Sequence, residues 1–203
     1  MFPVLTPATR AIIVVNVVVF LLELVAARPI LWHFALWPLG PDSPFHWWQL
    51  VSYAFLHDPK GIAHIFFNMF ALYVFGPALE QYWGARRYLV YYFVCIIAAG
   101  ATQLAVEYAF GNGAPTIGAS GGIFGILFAF AILFPSVRLL LYFAIPVPAW
   151  LFVTGYAVLE LFFGVTGTEG SVAHFAHLWG MLGGAVMMLY WRLLDGGGGR
   201  RAA

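Results

Sequence analysis

Six long apolar stretches dominate the sequence and restrict the folds that are open to it. They cover residues 11–27, 62–79, 88–107, 119–134, 147–165 and 172–194. A helix that crosses a bilayer needs about 20 mostly apolar residues, so each stretch is close to a spanning length. Charged residues make up 8% of the chain, against about 25% in soluble domains. The sequence therefore predicts an all-α polytopic membrane protein, with six transmembrane helices in a single membrane domain.

The distribution of arginine and lysine predicts the orientation. With the N-terminus in the cytoplasm, two basic residues, Arg28 and Lys60, fall outside and seven fall inside. The seven are Arg10, Arg86, Arg87, Arg138, Arg192, Arg200 and Arg201. Both termini are therefore expected in the cytoplasm, with residues 195–203 as a flexible tail. The expected location is a bacterial inner (plasma) membrane. A signal peptide at residues 1–27 is a disfavoured alternative, because no basic residue precedes Arg10.

The segments at the edges of the spans carry aromatic, proline and acidic residues. The long first external loop, about residues 28–60, holds Trp32, Phe34, Trp37, Phe45, Trp47 and Trp48. Such residues favour the membrane–water interface, so the loop is expected in the outer headgroup region. Two prolines disfavour a continuous helix before the fifth stretch, so residues 137–146 are expected to lie along the membrane. Glu23 and Glu160 lie near the outer ends of their spans and are interpreted as interfacial residues.

Polar residues gather at the same end of the second, fourth and sixth stretches. In the predicted orientation, these three helices all begin at the outer face. The second begins IAHIFFN, with His64 and Asn68, and the fourth begins GASGG, with Ser120. The sixth begins SVAHFAH, with His174 and His177. Residues three or four apart share a helix face, so the polar groups of each helix point to one side.

A serine near a histidine inside a bilayer indicates acyl-transfer chemistry. A serine hydroxyl is a weak nucleophile until a base takes its proton, and histidine is the usual base. Ser120 and His177 are therefore the candidate nucleophile and base. The side chains of His64 and Asn68 and the backbone N–H of Ser120, at a helix start, are candidate hydrogen-bond donors to an oxyanion.

Glycines accompany both candidate residues. Gly118 and Gly121 flank the serine, while Gly180 and Gly184 continue the face below His177. Because glycines let helices approach closely, the fourth and sixth helices are expected to be in contact, with the serine near the histidine.

A metal site is a competing interpretation. His57, His64, His174 and His177 could ligate zinc. However, the sequence has no HExxH motif, and no acidic residue lies within one helical turn of the three intramembrane histidines. The sequence thus predicts no metal and no cofactor, and its scattered basic residues do not indicate nucleic acid as a partner.

These motifs resemble the rhomboid family of intramembrane serine proteases. The matching segments are HIFFN at 64–68, GASG at 118–121 and AHLWGMLGG at 176–184, in the order in which the family has them. Glu80 and Gly84 also lie at the family's spacing after His64, and the resemblance covers about residues 10–194. Gln49 is a departure, because many members have arginine at this position.

The resemblance implies a Ser120–His177 dyad without an aspartate, and an oxyanion hole formed by His64, Asn68 and the Ser120 amide. It implies that Phe124 stacks on the catalytic histidine. It also implies a rhomboid-like six-helix bundle whose short fourth helix begins below the external surface, at the bottom of a water-filled cavity.

The sequence is compatible with three functions. The favoured one is an endopeptidase that cleaves transmembrane segments of other membrane proteins within the lipid bilayer. The second is an inactive rhomboid-like protein that binds membrane clients as a chaperone, although inactive relatives usually lack the serine or the histidine. The third is a small transporter, although transporters place their broken helices near the midplane. The oligomeric state is not indicated.

Overall fold

The computed structural model describes residues 4–110, 114–141, 144–166 and 171–196. Its long helices are α1 (Pro7–Phe34), α3 (Ile62–Trp83), α4 (Ala85–Phe110), α5 (Ser120–Leu133), α6 (Ala149–Thr166) and α7 (Ser171–Gly196). The short helix α2 (Gln49–Ser52) and a 3₁₀ turn (Tyr53–Phe55) lie between α1 and α3. Strands β1 (Arg138–Leu141) and β2 (Ile145–Pro148) lie between α5 and α6. Each predicted apolar stretch thus corresponds to one long helix.

Four of the described helices, α1, α3, α4 and α6, are long and apolar enough to cross a membrane. Large apolar side chains are exposed on the outer faces of these helices, among them Leu22, Phe67 and Phe162. Such an exposed apolar surface is suited to lipid and not to water. The chain is therefore an integral membrane protein, as predicted, while the count of six spans stays a prediction.

Helix α5 lies among the other helices. Ten of its 14 residues are buried, and it contacts α3, α4, α6 and α7. A helix that is apolar on all sides is typical of such a surrounded position. At 1.5 Å per residue it is about 21 Å long, which is less than the roughly 30 Å of the hydrocarbon core. This is the short fourth helix of the prediction, and its depth in the membrane stays a prediction.

Gln49 connects the first loop to the end of α1 through hydrogen bonds. The side chain is fully buried. Its amide nitrogen donates to the carbonyl oxygens of Pro44, at 3.0 Å, and His33, at 3.3 Å. Its amide oxygen accepts from the backbone N–H of Trp37 at 3.3 Å. At the position where the resemblance leads one to expect arginine, glutamine therefore anchors the loop through neutral hydrogen bonds.

The connecting segments differ in detail from the predictions. Helix α1 continues to Phe34, with a break in helical geometry at Ala26, so the first loop begins later than residue 28. The segment predicted to lie along the membrane forms an antiparallel hairpin, in which Arg138 is opposite Pro148. In the described part of the chain, this hairpin departs from the predicted all-helical architecture, because proline interrupts a helix but is tolerated in an edge strand.

The C-terminal end of α7 also differs from the prediction. The helix continues to Gly196, so the first two residues of the predicted tail are helical. Residues 197–203 lie outside the described part of the chain.

Glu80 joins the start of α1 to α3. One oxygen of its buried carboxylate accepts from the backbone N–H of Ala8 at 2.9 Å. The other accepts from the backbone N–H and the hydroxyl of Thr9, at 2.8 and 2.9 Å, and from the hydroxyl of Thr6. Unpaired N–H groups at a helix start favour an anion, so this contact stabilises the packing of α1 against α3.

Candidate active site

Ser120 and His177 are in hydrogen-bond contact although they belong to different helices. Ser120 is the first residue of α5, and His177 lies in the second turn of α7. The Nε2 atom of His177 lies 2.7 Å from the Oγ atom of Ser120. The helices come this close because Gly180 has no side chain: a Cβ atom there would stand 2.1 Å from the carbonyl oxygen of Gly121.

Two further glycines of the motifs, Gly121 and Gly184, also lie at close helix contacts. A Cβ atom on Gly121 would stand 2.5 Å from the Cβ atom of Ala99 on α4. One on Gly184 would stand 2.2 Å from the hydroxyl oxygen of Tyr91, also on α4. Gly121 and Gly184 thus bring α5 and α7 close to α4.

The imidazole of His177 is stacked on an aromatic ring. Phe124 lies one turn after Ser120 on α5, and its ring centroid is 4.3 Å from that of His177, with 5° between the planes. Tyr156 of α6 stacks on Phe124 in turn, with centroids 5.2 Å apart. The plane of the imidazole is therefore fixed by packing from α5 and α6.

The segment before Ser120 is held by backbone hydrogen bonds to the first loop. Leu36 and Thr116 exchange two N–H···O bonds, of 3.0 and 2.9 Å. The N–H of Gly118 donates to the carbonyl oxygen of Tyr53 at 2.9 Å. These bonds fix the entry of the chain into α5, and with it the position of the serine.

Gly118 separates His64 from Ser120. Its φ angle is +123°, a conformation that glycine adopts readily and other residues do not. A Cβ atom at this position would stand 2.9 Å from Nε2 of His64 and 3.8 Å from Oγ of Ser120. Both polar atoms therefore border one small space that only glycine leaves open. The amide of Ser120, as the first of the helix, has no partner within α5.

Asn68 lies one turn beyond His64 on α3 and is bonded to a second histidine. Its Nδ2 atom donates to Nε2 of His57 at 3.1 Å. The backbone N–H of His57 donates to the carboxylate of Glu23 at 3.0 Å. Burial, and then the nearby His64, lower the pKa of His57 to about 3, so its ring is neutral and can accept this bond. The Asn68 amide keeps a second N–H for another acceptor.

A carboxylate from α6 meets the second nitrogen of the His177 ring. The Oε2 atom of Glu160 lies 3.0 Å from Nδ1 of His177 and 2.7 Å from Nδ1 of His174. Glu160 is only 7% exposed, and Glu23 only 1%. The interpretation of these two glutamates as interfacial residues is therefore wrong, because both are buried and hydrogen-bonded inside the protein.

The same carboxylate belongs to a group that could hold a metal ion. Ligand atoms of Glu160, His174 and His177 all lie within 4.8 Å of one another. The zinc alternative drawn from the sequence grouped His174 and His177 with His57 and His64. Among the described residues the candidate group contains a glutamate instead of those two histidines.

Comparison with known proteins places the chain in a family. A family model of the rhomboid domain matches residues 44–193, which include every residue of the site described above except Glu23 and Leu36. The chain belongs to the rhomboid family. This confirms the resemblance drawn from the three polar motifs.

Individual rhomboids align with parts of the chain. It is 42% identical over 81 residues to rhomboid protease GluP of Bacillus subtilis, covering 40% of this chain and 15% of that protein. It is 31% identical over 98 residues to rhomboid protease GlpG of Klebsiella pneumoniae, covering 48% and 34%. It is 31% identical over 152 residues to the mitochondrial rhomboid protein 1 of Saccharomyces cerevisiae, covering 70% and 41%. The chain thus spans less than half the length of each of these relatives.

Two residues that contact this rhomboid site were missed by the sequence analysis. Tyr156 and Glu160 both lie on α6, four positions apart, and therefore share a face. An ionisable residue in an apolar span is a functional hypothesis by default. That rule, together with the aromatic residue one turn earlier, was the signal that could have identified them.

Proposed function

We propose that this rhomboid is an intramembrane serine endopeptidase that cleaves transmembrane segments of other membrane proteins. The observation that carries the proposal is the 2.7 Å contact between Nε2 of His177 and Oγ of Ser120. A nucleophile within hydrogen-bond reach of a base is the arrangement that covalent catalysis requires. The protease names of two relatives, GluP and GlpG, support the same reaction.

In the proposed reaction, the Ser120 oxygen attacks the carbonyl carbon of a peptide bond while its proton passes to Nε2 of His177. The tetrahedral intermediate then collapses, the C–N bond breaks, and His177 returns the proton to the leaving amine. The substrate's N-terminal part remains as an ester on Ser120. A water molecule, deprotonated by the same histidine, hydrolyses this ester and restores the serine hydroxyl.

The negative charge of the intermediate requires hydrogen-bond donors. The proposed donors are the backbone N–H of Ser120, the ring of His64 and the second N–H of the Asn68 amide. The ring of His64 borders the space beside Gly118, as does the hydroxyl oxygen of Ser120, and Asn68 lies one turn from His64. Such donors act where charge develops, which makes them more effective than donors in water.

The site is proposed to open to the external side of the membrane, with both chain termini in the cytoplasm. Ser120 begins α5, and the polar residues of α3 and α7 lie near the starts of those helices, so the site lies at one end of the helices and not at their middle. Water can then reach it from outside, while transmembrane substrates approach through the lipid.

The first test is covalent labelling with a fluorophosphonate, which reacts with activated serines. We expect purified wild-type protein to be labelled at Ser120, as located by mass spectrometry, and Ser120→Ala to remain unlabelled. Ser136→Ala, at an exposed serine outside the site, is the matched control and should be labelled like the wild type.

The second test looks for substrates. Membrane fragments released by cells that express the wild type, and not by cells that express Ser120→Ala, identify cleaved proteins. A wild-type protein that is folded, unlabelled and without released fragments would instead be an inactive rhomboid-like binding protein.

A further inference from the structure

We propose that Glu160 is a positioning residue for His177. Its carboxylate holds the proton of the imidazole on Nδ1, so that Nε2 is free to receive the proton of Ser120. This inference rests on the proposed protease function, and it adds a third member to the two-residue site that the resemblance implies.

The hydrogen-bond geometry assigns the proton. An ionised carboxylate only accepts hydrogen bonds, so a ring nitrogen bonded to it must carry a hydrogen. Nδ1 of His177 lies 3.0 Å from Oε2 of Glu160. The neutral ring then has its lone pair on Nε2, the atom that lies 2.7 Å from the Ser120 hydroxyl oxygen. The two contacts together select the tautomer that can act as a base towards serine.

Stacking alone does not select this tautomer. The ring of Phe124 lies parallel to that of His177, which fixes the plane of the imidazole. A parallel ring contacts both nitrogens alike, however, and does not determine which of them carries the hydrogen. The carboxylate of Glu160 therefore determines which nitrogen carries the hydrogen, and the aromatic contact does not.

His174 holds the carboxylate in place. Its Nδ1 atom lies 2.7 Å from the same oxygen of Glu160, and His174 lies about one turn before His177 on α7. A buried carboxylate is costly unless it is hydrogen-bonded, and here one oxygen receives two such bonds. Nε2 of His174 is buried with no partner among the described residues, so its bond to Glu160 is the polar contact that orients this ring.

The carboxylate also matters once the proton has moved. When His177 accepts the proton of Ser120, its ring becomes positively charged. Glu160 then faces this charge across a direct hydrogen bond, in an interior where charges interact more strongly than in water. Loss of the carboxylate should therefore slow the chemical step and leave the binding of substrate largely unchanged.

A zinc ion held by the same three groups is the competing explanation. Two histidines and a glutamate are a known zinc ligand set, with ligand distances of about 2.0–2.2 Å. At tetrahedral angles these distances separate neighbouring ligand atoms by about 3.3–3.6 Å. The separations of 2.7 and 3.0 Å are shorter and match direct hydrogen bonds.

The experiment compares three variants in proteoliposomes: Glu160→Gln, Glu160→Asp and Glu80→Gln. Glu160→Gln keeps the size of the side chain and removes the charge. Glu80→Gln makes the same change at another buried glutamate, near the opposite end of α3 from His64. For each variant, kcat, KM, the rate of fluorophosphonate labelling at Ser120 and the thermal unfolding temperature are measured.

We expect Glu160→Gln to lower kcat and the labelling rate by about 10²- to 10⁴-fold with little change in KM, since mispositioning a serine protease base through its carboxylate costs up to about 10⁴. Glu160→Asp should recover part of the activity, because it restores the charge. Glu80→Gln should lower the unfolding temperature while the folded protein keeps its kcat.

Four results would overturn the proposal or separate it from the proposed function. If Ser120 is labelled in the wild type and at the same rate in Glu160→Gln, Glu160 has no positioning role, while the proposed protease function stands. A wild type that is not labelled would remove the protease itself. Activity that falls only in proportion to the folded fraction would make Glu160 structural. Wild-type activity that is abolished by a chelator and restored by zinc would assign the cluster to a metal.

Discussion

The rings of Phe124 and His177 lie parallel, with their centroids 4.3 Å apart. The imidazole of His177 is thus held on one face by this stacking, at Nε2 by Ser120 and at Nδ1 by Glu160. Each contact comes from a different helix or a different turn, so each can be removed separately.

Replacement of Phe124 by leucine should reduce kcat without unfolding the protein. Aromatic stacking contributes about 0.5–1.5 kcal/mol beyond burial, which corresponds to a loss of about 2- to 13-fold. Phe124→Tyr should keep the stacking and most of the activity. The matched control is Phe130→Leu, at a buried ring on the same helix that contacts Phe75 instead. Equal kcat values for Phe124→Leu and wild type would show that stacking does not orient the base.

Single replacements of Ser120 and His177 should each abolish cleavage. Removal of a nucleophile or its base costs about 10³-fold or more, and the effects are not additive when the two act as a unit. The double variant Ser120→Ala/His177→Ala should therefore be no less active than either single variant. Substantial cleavage by folded Ser120→Ala would exclude the serine mechanism.

The contact between Ser120 and His177 could be predicted because polar residues are conspicuous in apolar helices. Their helices run in the same direction, and GASGG and SVAHFAH both stand at a helix start, so the depth of each group followed from the topology. Fifty-seven positions separate the two residues, yet the glycines indicated which faces meet.

Glu160 could not be placed in the same way. Helix α6 is apolar on most sides, so its sequence does not define which face turns inward, and Glu160 meets histidines 14 and 17 positions away on another helix. The hairpin at Arg138–Leu141 was missed for a related reason. Its leucines suit a helix or a strand equally, and the choice depends on pairing with a segment that prolines exclude from a helix.

Asn68→Ala should reduce turnover and preserve fluorophosphonate labelling. The amide is proposed to stabilise the oxyanion and takes no part in the deprotonation of Ser120. Loss of one such donor costs about 10²–10³ in kcat, and less where His64 and the Ser120 amide compensate. His64→Ala should be mild alone and more than additive with Asn68→Ala if both serve one oxyanion.

Thermal stability measured in parallel separates this role from a structural one, because Asn68 also donates to His57. A loss of activity that only follows the loss of folded protein would make Asn68 a packing residue.

Acid should destabilise the protein partly through His57. The folded ring has a pKa of about 3 because it is buried, whereas a histidine in the unfolded chain takes up a proton near pH 6.5. The unfolded state therefore binds more protons between these values, and the free energy of unfolding falls as the pH drops, by up to about 1.4 kcal/mol per unit.

Unfolding temperatures measured from pH 8 to pH 5 test this contribution. His57→Gln should show a weaker pH dependence than the wild type, with pH 8 as the reference because the ring is then neutral in both states. If the unfolding temperatures of wild type and His57→Gln depend equally on pH, the proposed contribution of His57 is contradicted.

The orientation can be tested with two exposed basic positions. Lys60→Cys, before α3, should react with a membrane-impermeant maleimide added to intact cells, whereas Arg86→Cys, at the start of α4, should react only after permeabilisation. The native Cys95 is buried and serves as the unlabelled background in the unsubstituted protein. The opposite labelling pattern would place the site on the cytoplasmic side.

The backbone contact between Gly121 and Gly180 has a mechanical consequence. Since the carbonyl of Gly121 occupies the place where a side chain of Gly180 would stand, the helices that carry Ser120 and His177 touch directly and have little freedom to separate. Changes in bilayer thickness act first on the outer, lipid-facing helices such as α1. The spacing of the reacting atoms should therefore be nearly the same in thin and thick membranes, and any dependence of turnover on lipid should arise from the arrival of the substrate.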